Sequence, residues 1–267
     1  MIRINDRLWN PKRYNDRSFR ARIETFTSPV TITWLYDDPQ ELLSLYYIVS
    51  HLRDHQIWDV HLQVPYLVDA RADRVQQDDE LFTLKYTCKL LNDMDFNSIS
   101  IYDVHSYVSE ALLNHVKILS PADEVSYLLQ RHSDALLFYP DEGSYKRNRA
   151  RIDLPAAFAV KQRNYATQQI ESLTLGSFSQ EIKDRDILIV DDILSRGTTL
   201  YKSSLLLKEQ GAKHIYVFVS HCEPTVLEKH INGQSLLDYP NLIDKIYTTN
   251  SLWRNVSHPK VEVIRYF

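Results

Sequence analysis

The chain has 267 residues and a formal net charge of -4, with 44% hydrophobic and 25% charged residues. That balance suits a globular protein of one large domain or two ordinary ones, and it excludes a global basic field for nucleic acid or an anionic membrane. No apolar run reaches the roughly 20 residues that a membrane helix needs. The polar opening, MIRINDRLWNPKRYNDR, does not read as a signal peptide. Two distant cysteines, Cys88 and Cys222, give neither a disulfide framework nor zinc spacing. A reducing cytoplasm is the expected setting.

The first half reads as strands alternating with helices. Residues 29–35 (PVTITWL) are rich in β-formers, and Asp38-Pro39 supplies a helix N-cap and first position. Residues 40–53 carry apolar side chains at helical spacing. A strand over 58–64, a helix over 81–91 and a strand over 98–102 (SISIY) follow. This β-α-β-α-β order implies a parallel sheet covered by helices.

The second half repeats the rhythm. Expected elements are a helix over 124–131 and strands over 135–139 (ALLFY), 155–160 and 186–190 (DILIV). A helix over 199–210, stopped by Gly211, comes next, followed by strands over 214–220, 245–248 and 261–264. The expected architecture is therefore α/β, with two similar halves, 1–120 and 121–267, each a mostly parallel sheet flanked by helices.

Chemistry concentrates at Asp186 to Leu200, DILIVDDILSRGTTL. A buried strand runs into Asp191 and Asp192, then Ser195, Arg196, Gly197, Thr198 and Thr199 lead into a helix. Hydroxyls, a glycine and helix-start amides are what a phosphate monoester needs. Two carboxylates would repel that phosphate, so they suit sugar hydroxyls, or metal ions through water. The plain alternative is a strand-to-helix turn with Asp and Thr as turn residues. The five glycines form neither G-x-G-x-x-G nor a Walker P-loop.

This segment resembles the phosphoribosyl-diphosphate loop of type I phosphoribosyltransferases and of ribose-phosphate pyrophosphokinases. It keeps Asp191, Asp192, Gly197 and Thr199, but has Ser195 and Arg196 where the families carry an acidic residue and threonine. Four further segments resemble the pyrophosphokinases alone: IYDVHS (101–106), YPDEGSYKR (139–147), AVKQRN (159–164) and PYLVDARADR (65–74). In the last, Asp69 and Ala72 replace the family's Tyr and Gln, and Asp16-Arg17-Ser18 matches an upstream family segment poorly.

The resemblance implies a phosphoribosyltransferase-like fold and transfer of diphosphate from ATP to C1 of ribose 5-phosphate, giving phosphoribosyl diphosphate and AMP. It places the 5-phosphate on Ser195, Arg196, Gly197, Thr198 and Thr199 and the ribose hydroxyls on Asp191 and Asp192. Lys161 and Arg163 would stabilise the transition state. Arg71, Asp73 and His105 would serve ATP, and Mg2+ would lie near His105, Asp103 and Asp141. A homo-oligomer is implied, because in that family a neighbouring subunit often completes the ATP site. Two rivals are a phosphoribosyltransferase that consumes phosphoribosyl diphosphate and a non-catalytic, regulatory relative.

Overall fold

A computed structural model describes residues 1–16, 18–75, 77–133, 135–149, 152, 156–163, 170–175 and 182–267. The chain forms two compact units, residues 1–119 with Phe267 and residues 120–266.

In the first unit the elements run β1 (Ile2–Ile4), β2 (Arg7–Trp9), β3 (Lys12–Arg13), β4 (Phe19–Arg20), β5 (Val30–Trp34), α1 (Gln40–Asp54), β6 (Val60–Val64), α2 (Thr83–Asp93), β7 (Ser98–Tyr102), α3 (Val108–Leu112) and β8 (Val116–Leu119). The sheet order is β2-β1-β5-β6-β7-β8. Strands β5 to β8 pair in parallel, and β1 and β2 join antiparallel. Helix α1 buries Leu45, Ile48, Val49 and Leu52 on one stripe, and α2 buries Leu84, Cys88 and Leu91. Both stripes recur at three- and four-residue steps, as an amphipathic helix on a sheet requires. The Asp38 carboxylate accepts the Gln40 N–H at 2.7 Å, and Pro39 already has helical angles, so this start follows the sequence reading.

The N-terminal hairpin was not read from the sequence. Asn5 and Asp6 both take positive φ, at 45° and 63°. They form a two-residue turn of the kind that matches strand twist. Ile2 and Ile4 then face the core, only 2% and 3% exposed. The signal was present as Ile-Asn-Asp-Arg, masked by the polar composition around it.

In the second unit the elements are α4 (Ala122–Arg131), β9 (Leu136–Tyr139), α5 (Glu142–Arg149), β10 (Ala156–Arg163), β11 (Ile170–Leu175), β12 (Ile187–Leu194), α6 (Thr198–Glu209), β13 (Ile215–Cys222), β14 (Lys245–Thr249) and β15 (Val261–Arg265). Short 3-10 turns lie at Pro224–Leu227 and Leu236–Asp238. The sheet order is β11-β10-β9-β12-β13-β14-β15, parallel except for the β10–β11 pair.

The apolar run in β12 is buried on both sides, as a central parallel strand demands. Ile187 and Ile189 pack with Leu200 and Leu207 of α6. Leu188 and Val190 pack with Val125 and Leu128 of α4 on the other face. Two similar α/β units, each a mostly parallel sheet flanked by helices, are thus the observed architecture.

Candidate functional site

Strand β12 sets the geometry of the second unit. It pairs with β9 only over Ile187–Ile189, while its register with β13 continues to Leu194. Asp191 and Asp192 therefore lie inside the strand, not after it as the sequence suggested, at a level where β9 has ended. This is the carboxyl-end crevice where open parallel sheets bind ligands.

The segment after β9 also differs from a plain turn. Asp141 accepts the Ser144 N–H on Oδ1 at 2.7 Å, and its carbonyl accepts the Tyr145 N–H. It is the N-cap of α5. That cap aims the first turns of α5 at the acidic pair. Ser144 donates its hydroxyl toward Asp191 Oδ1 at 3.1 Å. Arg147 Nη2 lies 2.5 Å from Asp192 Oδ1 and 3.6 Å from Asp191 Oδ1. Side-chain exposures of 21% for Arg147, 14% for Asp191 and 3% for Asp192 show that the cluster is mostly shielded from water.

Burial, then the charges of Asp192 and Asp141, push the Asp191 carboxyl well above the usual range, against the opposing pull of Arg147. The Arg147 guanidinium thus lies beside two carboxylates at once. Among the described residues, no group of three or more His, Cys, Asp or Glu side chains is arranged to hold a metal ion.

The loop that follows is built around Gly197. Its φ of 82° is left-handed, and an added Cβ would lie 2.7 Å from Leu236 Cδ2. Both facts require glycine. Helix α6 begins at Thr198 with no side-chain cap and no acidic residue in its first turn. Such a helix start favours an anion through its N–H groups and dipole. Ser195 Oγ bonds Thr225 Oγ1 at 3.2 Å. Arg196 is exposed and turns to Glu228, 2.9 Å away, so it does not crowd the loop. Beside it, the carboxyl ends of β13 and β14 are tied by a buried network in which Thr249 donates to the Ser220 carbonyl and His221 Nδ1 meets Ser251 Oγ at 2.8 Å.

In the first unit, β7 ends at Tyr102 and the chain turns at Asp103, buried and left-handed at φ 44°. The loop through His105 and Ser106 leads into α3. Asp73 reaches this loop from the preceding β6–α2 connection. Burial tends to raise its carboxyl, but hydrogen bonds from Arg74 and Ser106, with the charges of Arg74 and His105, outweigh that and hold it low. Asp73, His105 and Ser106 are thus neighbours, although far apart in sequence.

Asp69, which stands where the resemblance expects Tyr, takes a positive φ of 64° and accepts the Thr87 hydroxyl at 2.6 Å. Aspartate tolerates that backbone better than a bulky residue does. Ala72 continues the same turn, its N–H donating to the Asp69 carbonyl. Arg71 is exposed. Asp16 accepts both the N–H and hydroxyl of Ser18; Arg17 lies outside the described residues.

Lys161 and Arg163 fall on β10, paired in register with Leu173 and Ile170 of β11 across an irregularity at Gln162/Arg163. Their side chains lie outside the described residues. Arg147 and Ser144 are the participants that the sequence reading did not assign. Both sit in the quoted segment 139–147, and only the helical turn of α5 shows that they face the acidic pair.

Residues 106–236 match the family described as phosphoribosyl transferase domain. The ribose-phosphate pyrophosphokinase of Thermococcus kodakarensis is 26% identical over 216 residues, covering 79% of this chain and 76% of the relative. The chain resembles the ribose-phosphate pyrophosphokinases. The corresponding protein of Saccharolobus solfataricus is 25% identical, with 70% of this chain and 65% of the relative covered. In fold, the chain is similar to the crystal structure of phosphoribosylpyrophosphate synthetase from Mycobacterium smegmatis. That match has a TM-score of 0.71 and 16% identity, over 97% of this chain and 86% of that one. No helix among the described residues is long and apolar enough to cross a membrane.

Proposed function

We propose that this protein is a ribose-phosphate diphosphokinase, making phosphoribosyl diphosphate and AMP from ribose 5-phosphate and ATP. The observation that carries the reading is the pairing, at one strand end, of an uncapped glycine-started helix with a shielded acidic pair. The helix start suits a phosphate dianion, and the carboxylates suit hydroxyls. One ligand with both ends is a sugar phosphate. The named relatives support ribose 5-phosphate and ATP as the substrates.

In this reading Ser195 to Thr199 hold the 5-phosphate, and Asp191 and Asp192 accept hydrogen bonds from ribose hydroxyls. Arg196 plays a lesser part, since its guanidinium is already paired with Glu228. Asp73 and His105, with Arg71, serve the nucleotide in the first unit. The C1 hydroxyl oxygen forms a bond to the β-phosphorus as the bond from that phosphorus to the α,β-bridging oxygen breaks. The hydroxyl proton passes to solvent, and AMP departs. The protein's task is alignment and charge neutralisation, with Lys161 and Arg163 at the transferring group.

The residues fit a magnesium ion held mainly by substrate phosphates and water, because Asp191, Asp192 and Asp141 bring carboxylates together while no group of three or more His, Cys, Asp or Glu among the described residues forms a metal cage. In the second unit Asp141 would contribute to holding it, and in the first unit His105 and Asp103 are the candidate ligands; bound there, magnesium would neutralise phosphate charge.

The test is to mix the protein with ATP, Mg2+ and ribose 5-phosphate and follow phosphorus NMR. Phosphoribosyl diphosphate and AMP should appear together, and chelation with EDTA should stop them. A well-folded protein that makes neither sinks the proposal. The match of residues 106–236 to a phosphoribosyl transferase domain favours a second reading, base transfer from phosphoribosyl diphosphate. Release of diphosphate when that compound and a nucleobase are supplied would select it.

A further inference from the structure

We propose that Arg147 is a positioning residue for the sugar end of the site: its guanidinium gathers Asp191 and Asp192 into one oriented pair. The proposal rests on the ribose 5-phosphate reading above.

Successive side chains of a strand point to opposite faces, so carboxylates at 191 and 192 of β12 would ordinarily diverge. Helix α5 prevents this. Arg147 Nη2 contacts Oδ1 of both, at 2.5 Å to Asp192 and 3.6 Å to Asp191. Asp191 Oδ1 also takes the Ser144 hydroxyl at 3.1 Å and the Asp192 N–H at 3.1 Å. The Asp191 side chain is therefore folded back along its own strand. Asp141 caps the same helix, so the turn that carries Ser144 and Arg147 is itself fixed.

A buried ion pair is weak evidence for stability, since desolvation offsets attraction. What a planar guanidinium supplies is geometry. Two carboxylates held side by side match the vicinal hydroxyls of a furanose, and a wandering pair would not. Lysine keeps the charge but loses the planar fork, so it separates orientation from electrostatics.

The experiment is calorimetric titration of the full chain and its Arg147→Lys and Arg147→Ala variants with ribose 5-phosphate and, separately, with inorganic phosphate. Ribose 5-phosphate should bind about tenfold more weakly in both variants, while phosphate affinity stays within about twofold. Arg147→Ala leaves Asp192 buried without its cation and is at risk of unfolding; Arg147→Lys then decides. A folded Arg147→Lys protein that binds ribose 5-phosphate as tightly as the unsubstituted one overturns the proposal, as does a parallel loss of both ligands. If the unsubstituted protein binds phosphate but not ribose 5-phosphate, the sugar reading falls and this one with it.

Discussion

Asp73 in the first unit and Asp191 in the second are both partly shielded carboxyls beside a loop at the end of a parallel strand, yet their surroundings push them in opposite directions. Asp73 meets donors: burial is outweighed by Arg74, Ser106 and His105. Asp191 meets acids: burial is reinforced by Asp192 and Asp141, and Arg147 offsets only part of it. The first is a satisfied carboxylate that ties two loops together. The second is a carboxyl whose surroundings disfavour its charge, a pattern that clusters at functional sites.

The largest effect should come from Lys161→Ala, which tests whether the second unit separates binding from chemistry. Turnover should fall about 100-fold or more, with ribose 5-phosphate affinity unchanged by calorimetry. Loss of both together would place Lys161 in binding.

Gly197→Ala tests the loop itself. Left-handed backbone and the approach to Leu236 should cost about 2 kcal/mol in urea unfolding, against about 1 kcal/mol for Gly233→Ala. Gly233 has a similar φ of 78° but open space around its Cβ position. Equal costs would show that Leu236 yields.

The two aspartates give opposite pH signatures. A lowered carboxyl contributes stability above the unfolded pKa and loses it as pH falls through the folded value. Asp73→Asn should therefore destabilise by about 1 kcal/mol at pH 7, and the difference should fade below about pH 4. A raised carboxyl is stabilising only while protonated, and that contribution is lost as pH rises through the folded value. Asp191→Asn should therefore raise the melting temperature at pH 7 to 8 by about 2–4 °C, lose the gain toward about pH 4, and abolish ribose 5-phosphate binding. Melting curves across pH check both, and a shared sign would break the comparison. The smallest effect is expected from Arg196→Ala. Its exposed pairing with Glu228 is worth less than about 0.5 kcal/mol, and a large loss of phosphate affinity would show that Arg196 leaves Glu228 for the ligand.

Much of the fold was legible because burial writes itself into the sequence. The run ILIV requires two covered faces, and the stripe of Leu45, Ile48, Val49 and Leu52 requires one. The turn at Gly197 was legible for the same local reason, since a left-handed glycine acts on its own backbone. Asp191 and Asp192 stand out in the sequence as an acidic pair, but their place within β12 does not, because strand length there is set by pairing with β13. Asp141 was read for its charge, whereas the structure uses it first as the cap of α5.

The sequence by itself determined two α/β units, a glycine-led helix start and an acidic pair shortly before it. Each follows from residues within a few positions of one another, where propensity and periodicity operate. Only the tertiary structure decided that Arg147 and Ser144 meet that pair, that Asp73 joins His105 and Ser106, and that Leu236 lies where a Cβ at 197 would be. Those contacts join residues some thirty to fifty positions apart, and the distance is closed by sheet order and helix packing, which no local pattern specifies.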